Sequence, residues 1–212
     1  MEKFYPYENW DDFICSKILS KSKDWNYFCD VGACLGGYTN FFKNLMKDKN
    51  GKVYSFEANP KNYENIKYLA NDNCIVENFA VMDSSKEVTI YAENTNYGQH
   101  MSTIFNKERF GIDFKTSYNV PSVTLDEYFK DIRLDCMKID VEGSEFSVIK
   151  GGIETIRNCK FCVIECHWDE DWDEILELLE LNSLKFKDLV TDNELTKDYR
   201  PYQIYYEKNQ KV

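Results

Sequence analysis

The sequence predicts an α/β fold built on a mostly parallel, doubly wound sheet. Strand-like and helix-like segments alternate along most of the 212 residues with no linker between them. A short apolar run, Tyr27-Phe28-Cys29, leads into an acid and a glycine turn, Asp30-Val31-Gly32-Ala33-Cys34-Leu35-Gly36-Gly37, which opens a helical pattern. Near the end, two strand-like stretches flank a polar turn and predict an antiparallel hairpin.

Each element has its own signal. Trp10, Phe13, Ile14, Ile18 and Leu19 recur at helical spacing, so residues 1–24 should form a helical cover. The first strand is Tyr27 to Val31, and Phe41, Phe42, Leu45 and Met46 mark the helix after it. The turn Lys49-Asn50-Gly51 introduces a second strand, Lys52 to Glu57. Asn59-Pro60 then supplies an N-cap and a first-turn proline for a helix with Tyr63, Ile66 and Leu69 on one face. A third strand, Cys74 to Phe79, precedes the alternating segment Val88-Thr89-Ile90-Tyr91. Residues 92–119 are polar and weakly periodic, which predicts a long substrate-facing loop.

Order returns at Ser122-Val123-Thr124-Leu125-Asp126, a strand end capping a short helix. Leu134 to Ile139 and Phe161 to Cys166 read as buried strands, with a helix from near Ser144 between them. Trp172, Ile175, Leu176 and Leu179 fall at i, i+3, i+4 and i+7, an amphipathic helix. Leu184 to Val190 and Pro201 to Tyr206 form the predicted hairpin. Residues 1–212 are thus expected to form a single domain.

Composition narrows the function classes. The net charge of −11 disfavours polyanionic partners. No apolar run approaches the ~20 residues of a membrane span, and the first residues carry no signal-peptide pattern. Several of the eight cysteines, including Cys29, Cys136 and Cys162, sit in strand-like apolar runs as buried thiols do. With no glycosylation sequon, a reducing cytoplasmic setting is expected.

The glycine spacing selects the cofactor. Gly32-x-x-x-Gly36 is not the G-x-G-x-x-G of dinucleotide binders, and no phosphate-loop Lys-Ser/Thr follows. Asp-x-Gly-x-x-x-Gly suits S-adenosylmethionine, which has no phosphates to cradle but has an amino-acid tail and a ribose. The expected contacts are Asp30, Gly32, Ala33, Gly36, Tyr38 and Thr39, with Glu57, Ala58 and Asn59 at the end of the second strand. An acid in the position of Glu57 chelates the two ribose hydroxyls. Asn78 and Ala80 end the third strand, where the adenine edge should lie.

The second signal is Lys138-Ile139-Asp140-Val141-Glu142-Gly143-Ser144-Glu145. Lys138 and Asp140 project to the same side of their strand, and Asp140 is read as its last residue. Asp140, Glu142 and Glu145 crowd three carboxylates at a strand end, which is costly unless a cation or a proton-donating substrate relieves it. The sulfonium of the cofactor, a substrate hydroxyl needing a base, or a divalent metal would each serve. Asp140 is expected to touch the cofactor as well as the acceptor, and Glu145 to be structural or to complement the helix dipole. Glu165 and His167 share one face at the next strand end, where an imidazole can take a hydroxyl proton. The predicted catalytic cluster is therefore Asp140, Glu142 and His167, with Glu165 and Lys138 orienting them. Cys159-x-x-Cys162-x-x-x-Cys166-His167 imitates a metal site, but no second cysteine pair exists and Cys162 and His167 should face opposite ways. No metal ligand is assigned.

With both motifs in hand, the chain resembles the FkbM methyltransferase family. The matching stretches are Asp30-Val31-Gly32-Ala33 through Gly36-x-Tyr38-Thr39, Phe56-Glu57-Ala58-Asn59-Pro60, and Val123-Thr124-Leu125-Asp126. The long Lys138-to-Glu145 run with Gly151-Gly152 follows, and then Val163-Ile164-Glu165. The departures are mild: Cys34 stands for the usual Asn and Ala58 for the usual Pro. The resemblance implies a seven-stranded Rossmann-like class I methyltransferase fold and S-adenosylmethionine-dependent O-methylation of a sugar or small-molecule hydroxyl. A deoxyhexose or glycan residue is the expected acceptor, since aromatics are abundant and rings stack on sugar faces. Tyr97, His100 and Ser102 in the polar loop, with Trp168 beyond the catalytic strand, are the expected acceptor contacts. An RNA ribose 2′-O-methyltransferase and a non-catalytic cofactor-binding module are the alternatives; the glycine spacing disfavours a nicotinamide oxidoreductase. No Asn/Asp-Pro-Pro-aromatic run supports methylation of DNA bases.

Overall fold

A computed structural model describes residues 10–92, 102–104, 114, 116–167 and 172–208. Helix α1 (Trp10–Lys21) precedes strand β1 (Tyr27–Val31), helix α2 (Gly37–Leu45), β2 (Lys52–Phe56), α3 (Pro60–Ile66) and β3 (Cys74–Glu77). Four short or outlying strands follow: β4 (Ala80–Val81), β5 (Glu87–Ala92), β6 (Ser102–Thr103) and β7 (Thr116–Val123). The chain then runs through α4 (Leu125–Tyr128), β8 (Cys136–Ile139), α5 (Glu145–Lys150), α6 (Ile153–Asn158), β9 (Phe161–Glu165) and α7 (Trp172–Leu181). It finishes with β10 (Phe186–Asp188) and β11 (Gln203–Glu207).

Seven of these strands make one sheet in the order β10-β11-β9-β8-β1-β2-β3. The pairs from β3 through β9 are parallel, while β11 lies antiparallel to both β9 and β10. The expected hairpin is therefore present, but its second strand is the one that joins the sheet, between β9 and β10. Chain order reverses between β1 and β8, and a crevice opens at such a point outside the carboxyl ends of the strands.

Strand alternation builds two cores. Phe28, Val53, Cys136, Phe161 and Val163 pack on one face with Ile14 and Ile18 of α1, Phe42 of α2 and Ile66 of α3. Cys29, Val31, Phe56, Met137, Ile139 and Ile164 face the other way, onto Leu125, Val148, Ile149, Ile156, Trp172, Ile175 and Leu179 from α4 to α7. Burial on both faces explains why β1 and β8 read as near-continuous apolar runs. Leu19, expected on the apolar face of α1, is instead 53% exposed. Asn59 caps α3 by accepting from Lys61 N at 2.9 Å, as Asn-Pro predicts. No helix among the described residues is long and apolar enough to cross a membrane.

Three local expectations need correction. The third strand stops at Glu77 rather than Phe79, because Asn78 turns back and donates from Nδ2 to the carbonyls of Glu57 and Ala58. β8 ends at Ile139, one residue before Asp140. The stretch read as loop through Asn119 contains β6 and the first part of β7, which pairs antiparallel with β5 over Glu87–Pro121 to Ala92–Thr116. Together β4, β7, β5 and β6 form a second, four-stranded sheet. Side chains of β7 are mostly half-buried or exposed up to Asn119, so the sequence has little apolar alternation to reveal it.

Candidate active site

The glycine turn after β1 is pinned to the neighbouring strand. The N–H groups of Gly32 and Ala33 both donate to the Phe56 carbonyl, at 3.0 and 2.9 Å. Gly32 has φ +85°, and a Cβ there would lie 1.8 Å from the Asp140 carbonyl oxygen. Glycine thus lets the turn lie against the end of β8. Cys34 follows at φ +49°, in the left-handed region that a non-glycine residue seldom adopts. Gly36, at φ +80°, is the N-cap before α2.

Glu57 leaves β2 and turns into this bend. Its Oε2 accepts from Cys34 N at 2.6 Å and its Oε1 from Asn59 N at 2.8 Å. Burial pushes its carboxyl up to about 7 against those two hydrogen bonds. The Asn62 side chain also donates to this carboxylate, so of its roughly four acceptor sites one stays open to a ribose hydroxyl and a second opens if Asn62 is displaced. A cavity of about 250 Å³ lies beside it. Among its walls are Gly32, Cys34, Glu57, Ala58, Ala80, Asp140 and Glu142.

Not every expected cofactor contact reaches that cavity. Asp30 and Thr39 are buried on the helix side, where Thr39 Oγ1 donates to Asp30 Oδ2 at 2.7 Å and lies 2.8 Å from Ser55 Oγ. Burial raises the Asp30 carboxyl. Ala33 and Asn59 are buried, and Gly36 is the N-cap of α2. Tyr38 sets its ring 4.5 Å from Lys138 Nζ and donates from its hydroxyl to Asp11 of α1. Asn78 braces the Glu57 bend as described. These residues shape the turn rather than line the space. Walls that sequence reasoning missed include Asn62, Phe79, Met82, Ile90, Ile104 and Ser144. Several come from the β4–β7 region, whose apposition to β2 no local motif announces.

The charged side chains expected to act on an acceptor do come together. Lys138 Nζ lies 2.5 Å from Asp140 Oδ2. Burial alone would lower this ammonium, but Asp140 and Asp30 outweigh it and its pKa is raised. His167 Nδ1 lies 2.7 Å from Glu145 Oε1. Its Nε2 faces Glu165 Oε1 at 3.3 Å, Glu142 Oε2 at 3.5 Å and Asp140 Oδ1 at 3.7 Å. Burial works against the imidazolium, but hydrogen bonds to Glu145 and Glu165 and the surrounding charge hold its pKa up at about 11. That positive charge lets four carboxylates share this volume.

Two further carboxyls respond in opposite directions. Burial lifts Glu142 to about 7, and its backbone sits at φ +52°. Burial would also raise Glu165, but His167 and the Tyr202 hydroxyl donate to it and its pKa is lowered. Tyr202 and Gln203 on this side were not anticipated, since the register of β11 on β9 is what brings Gln203 opposite Glu165. Glu145, 2% exposed, also accepts from Gly143 N at 3.1 Å. Tyr97, His100 and Trp168 lie outside the described residues, and Ser102 is described only as part of β6.

A mostly parallel seven-stranded sheet with a glycine turn, an acid-walled cavity and charged strand ends at its chain reversal has the architecture of the Rossmann-like methyltransferases. The Methyltransferase FkbM domain matches residues 30–187, and the chain belongs to that family. The crystal structure of methyltransferase FkbM from Methylobacillus flagellatus KT is similar in fold, with a TM-score of 0.57 and 17% identity. The match covers 87% of this chain and 44% of that one, so the chain spans less than half the length of that relative. A protein from Clostridium thermocellum, described provisionally as an rRNA methylase, gives a TM-score of 0.58 at 12% identity, covering 98% of this chain and 100% of that one. No curated protein sequence matches significantly.

Proposed function

We propose that the chain is an S-adenosylmethionine-dependent O-methyltransferase acting on a hydroxyl of a sugar or similar small molecule. The observation that carries this is one continuous cavity wall, running from the Gly32–Cys34 turn and Glu57 to Asp140 and Glu142. The donor set fits the cofactor. Glu57 accepts ribose hydroxyls, the Gly32 turn admits the amino-acid tail, and Ala80, Phe79 and Met82 offer apolar walls to the adenine. When bound, S-adenosylmethionine supplies an electrophilic methyl group on a sulfonium.

The chain's own residues do the rest. Positioning an oxygen in line with that methyl group accounts for most of the acceleration. As the oxygen gains the methyl it loses its proton, and Asp140 or Glu142, both on the cavity wall, can receive it. Lys138 holds Asp140 from one side, while Glu165 and His167 fix the other.

The acceptor reading rests on charge and chemistry. The carboxylates at the rim bind hydroxyls well and repel phosphates, and the net charge of −11 has the same sign. The likeness to the protein provisionally described as an rRNA methylase, at 12% identity, is one of fold alone. Transfer of labelled methyl groups to deoxysugars and glycans, with regiochemistry read by NMR, tests the reading against RNA in parallel. Carbohydrate O-methylation is the expected result. Methylation of RNA with no transfer to any carbohydrate would overturn the substrate class.

A further inference from the structure

We propose that Asp140, Glu165 and His167 form a divalent-metal site at the carboxyl ends of β8 and β9. One ligand atom from each converges, all lying within 4.8 Å of one another. The Nε2 of His167 stands 3.3 Å from Glu165 Oε1 and 3.7 Å from Asp140 Oδ1. Two ligands each about 2.1 Å from one ion, at tetrahedral or octahedral angles, stand about 3.0–3.4 Å apart. The His167–Glu165 spacing falls within that range and the His167–Asp140 spacing lies a little above it.

Three further features point to a cation. Asp140 Oδ1 is buried and accepts no hydrogen bond among the described residues. Gln203, 2% exposed, reaches Glu165 Oε2 through Nε2 at 3.4 Å, and its Oε1 is likewise buried and accepts none. Two buried oxygens without donors, beside a carboxylate cluster, favour an electropositive occupant. Lastly, Glu145, almost wholly buried, holds Nδ1 of His167, which orients Nε2 toward Asp140 and Glu165. An outer carboxylate fixing the far nitrogen of a ligating imidazole is a recurrent support for a metal.

Three carboxylate or imidazole ligands leave coordination positions open. Oxygen donors with a single imidazole and no thiolate suit Mn²⁺ among first-row ions. The chemical use rests on the methyl-transfer reading. An acceptor hydroxyl oxygen bound to the ion is acidified, and its proton passes to Glu142, which is not a ligand. The methyl–sulfur bond then breaks as the methyl–oxygen bond forms.

The test needs neither cofactor nor acceptor, so its failure is distinguishable from failure of the methyltransferase reading. Mn²⁺ is titrated into the chelator-stripped full chain and followed by calorimetry and electron paramagnetic resonance. One saturable ion per chain is expected, with imidazole nitrogen coupling in pulsed spectra of the unmodified protein. Glu165→Gln and His167→Asn should each weaken binding at least tenfold, and the exposed control Glu177→Gln should not. The nitrogen coupling decides the matter even if a variant misfolds. Absence of saturable binding, or a bound ion without that coupling, would overturn the site and leave the proton on His167 as the charge that holds the cluster together.

Discussion

The two sides of the cavity are built on different principles. On the proposed reading, the cofactor side uses backbone: two turn N–H groups fixed on Phe56, a glycine against Asp140, and a carboxylate accepting from Cys34 N and Asn59 N. The acceptor side uses side-chain charge, with four carboxylates around Lys138 and His167. Backbone geometry is specified by short sequence motifs and tolerates little substitution. A charge cluster is specified by strand register and can be retuned one residue at a time. The first side should therefore fail in binding and the second in turnover.

The largest effect is expected on the acceptor side. Asp140→Ala should lower kcat by roughly 10²–10⁴, the usual range for loss of general acid–base assistance, which Asp140 supplies by taking the proton or by holding the ion that lets Glu142 take it. Its affinity for S-adenosylhomocysteine should stay within a few-fold of the unmodified protein. Steady-state kinetics with calorimetry on one preparation measures both, and parallel loss of the two would erase the distinction between the sides.

Gly32→Ala attacks the cofactor side through its backbone. An added Cβ meets the Asp140 carbonyl at 1.8 Å in a conformation alanine resists, so the turn must shift. A strain on the order of 3 kcal/mol corresponds to about a hundredfold in affinity. If the strain falls on the fold instead, the melting temperature should drop by about 6–12 °C. Differential scanning calorimetry with and without cofactor separates these outcomes, and no change in either would mean that the turn has room to spare.

A smaller effect comes from pH. Glu57 is raised from an ordinary 4.5 to about 7, so the folded protein holds this proton more tightly than the unfolded chain does. Its stabilising contribution is then complete below about 4.5 and is lost as pH rises to about 7. Ribose hydroxyls donate to the charged carboxylate, so cofactor binding should expel the proton. Affinity should climb about tenfold between pH 6 and pH 8. Calorimetry in buffers of different ionisation enthalpy should detect the released proton, and Glu57→Gln should abolish both the release and the climb.

The legibility of the two sides follows from the same contrast. Gly32, Glu57, Asn59 and the Lys138-to-Glu145 run could be read because each acts through neighbours close in sequence or through the ends of adjacent strands. The parallel sheet was legible for a related reason, since strands buried on both faces leave apolar runs. What local pattern hides is direction and register. Asp30 shares a face with Phe28 and so turns toward α2, leaving Val31 and Gly32 to the cavity. The first part of β7 is hidden because its residues pair with β5 while their side chains alternate between half-buried and exposed. Gln203 reaches Glu165 only through the insertion of β11 beside β9, a pairing across 38 residues that no motif encodes.

The central claim is that Glu57 and the glycine turn hold S-adenosylmethionine, and calorimetry on Glu57→Ala tests it most directly. The charge-assisted hydrogen bonds to the ribose contribute roughly 1.5–3 kcal/mol. The account predicts one site per chain in the unmodified protein and a ten- to hundredfold loss of affinity in the folded variant. Unchanged affinity in folded Glu57→Ala would contradict it.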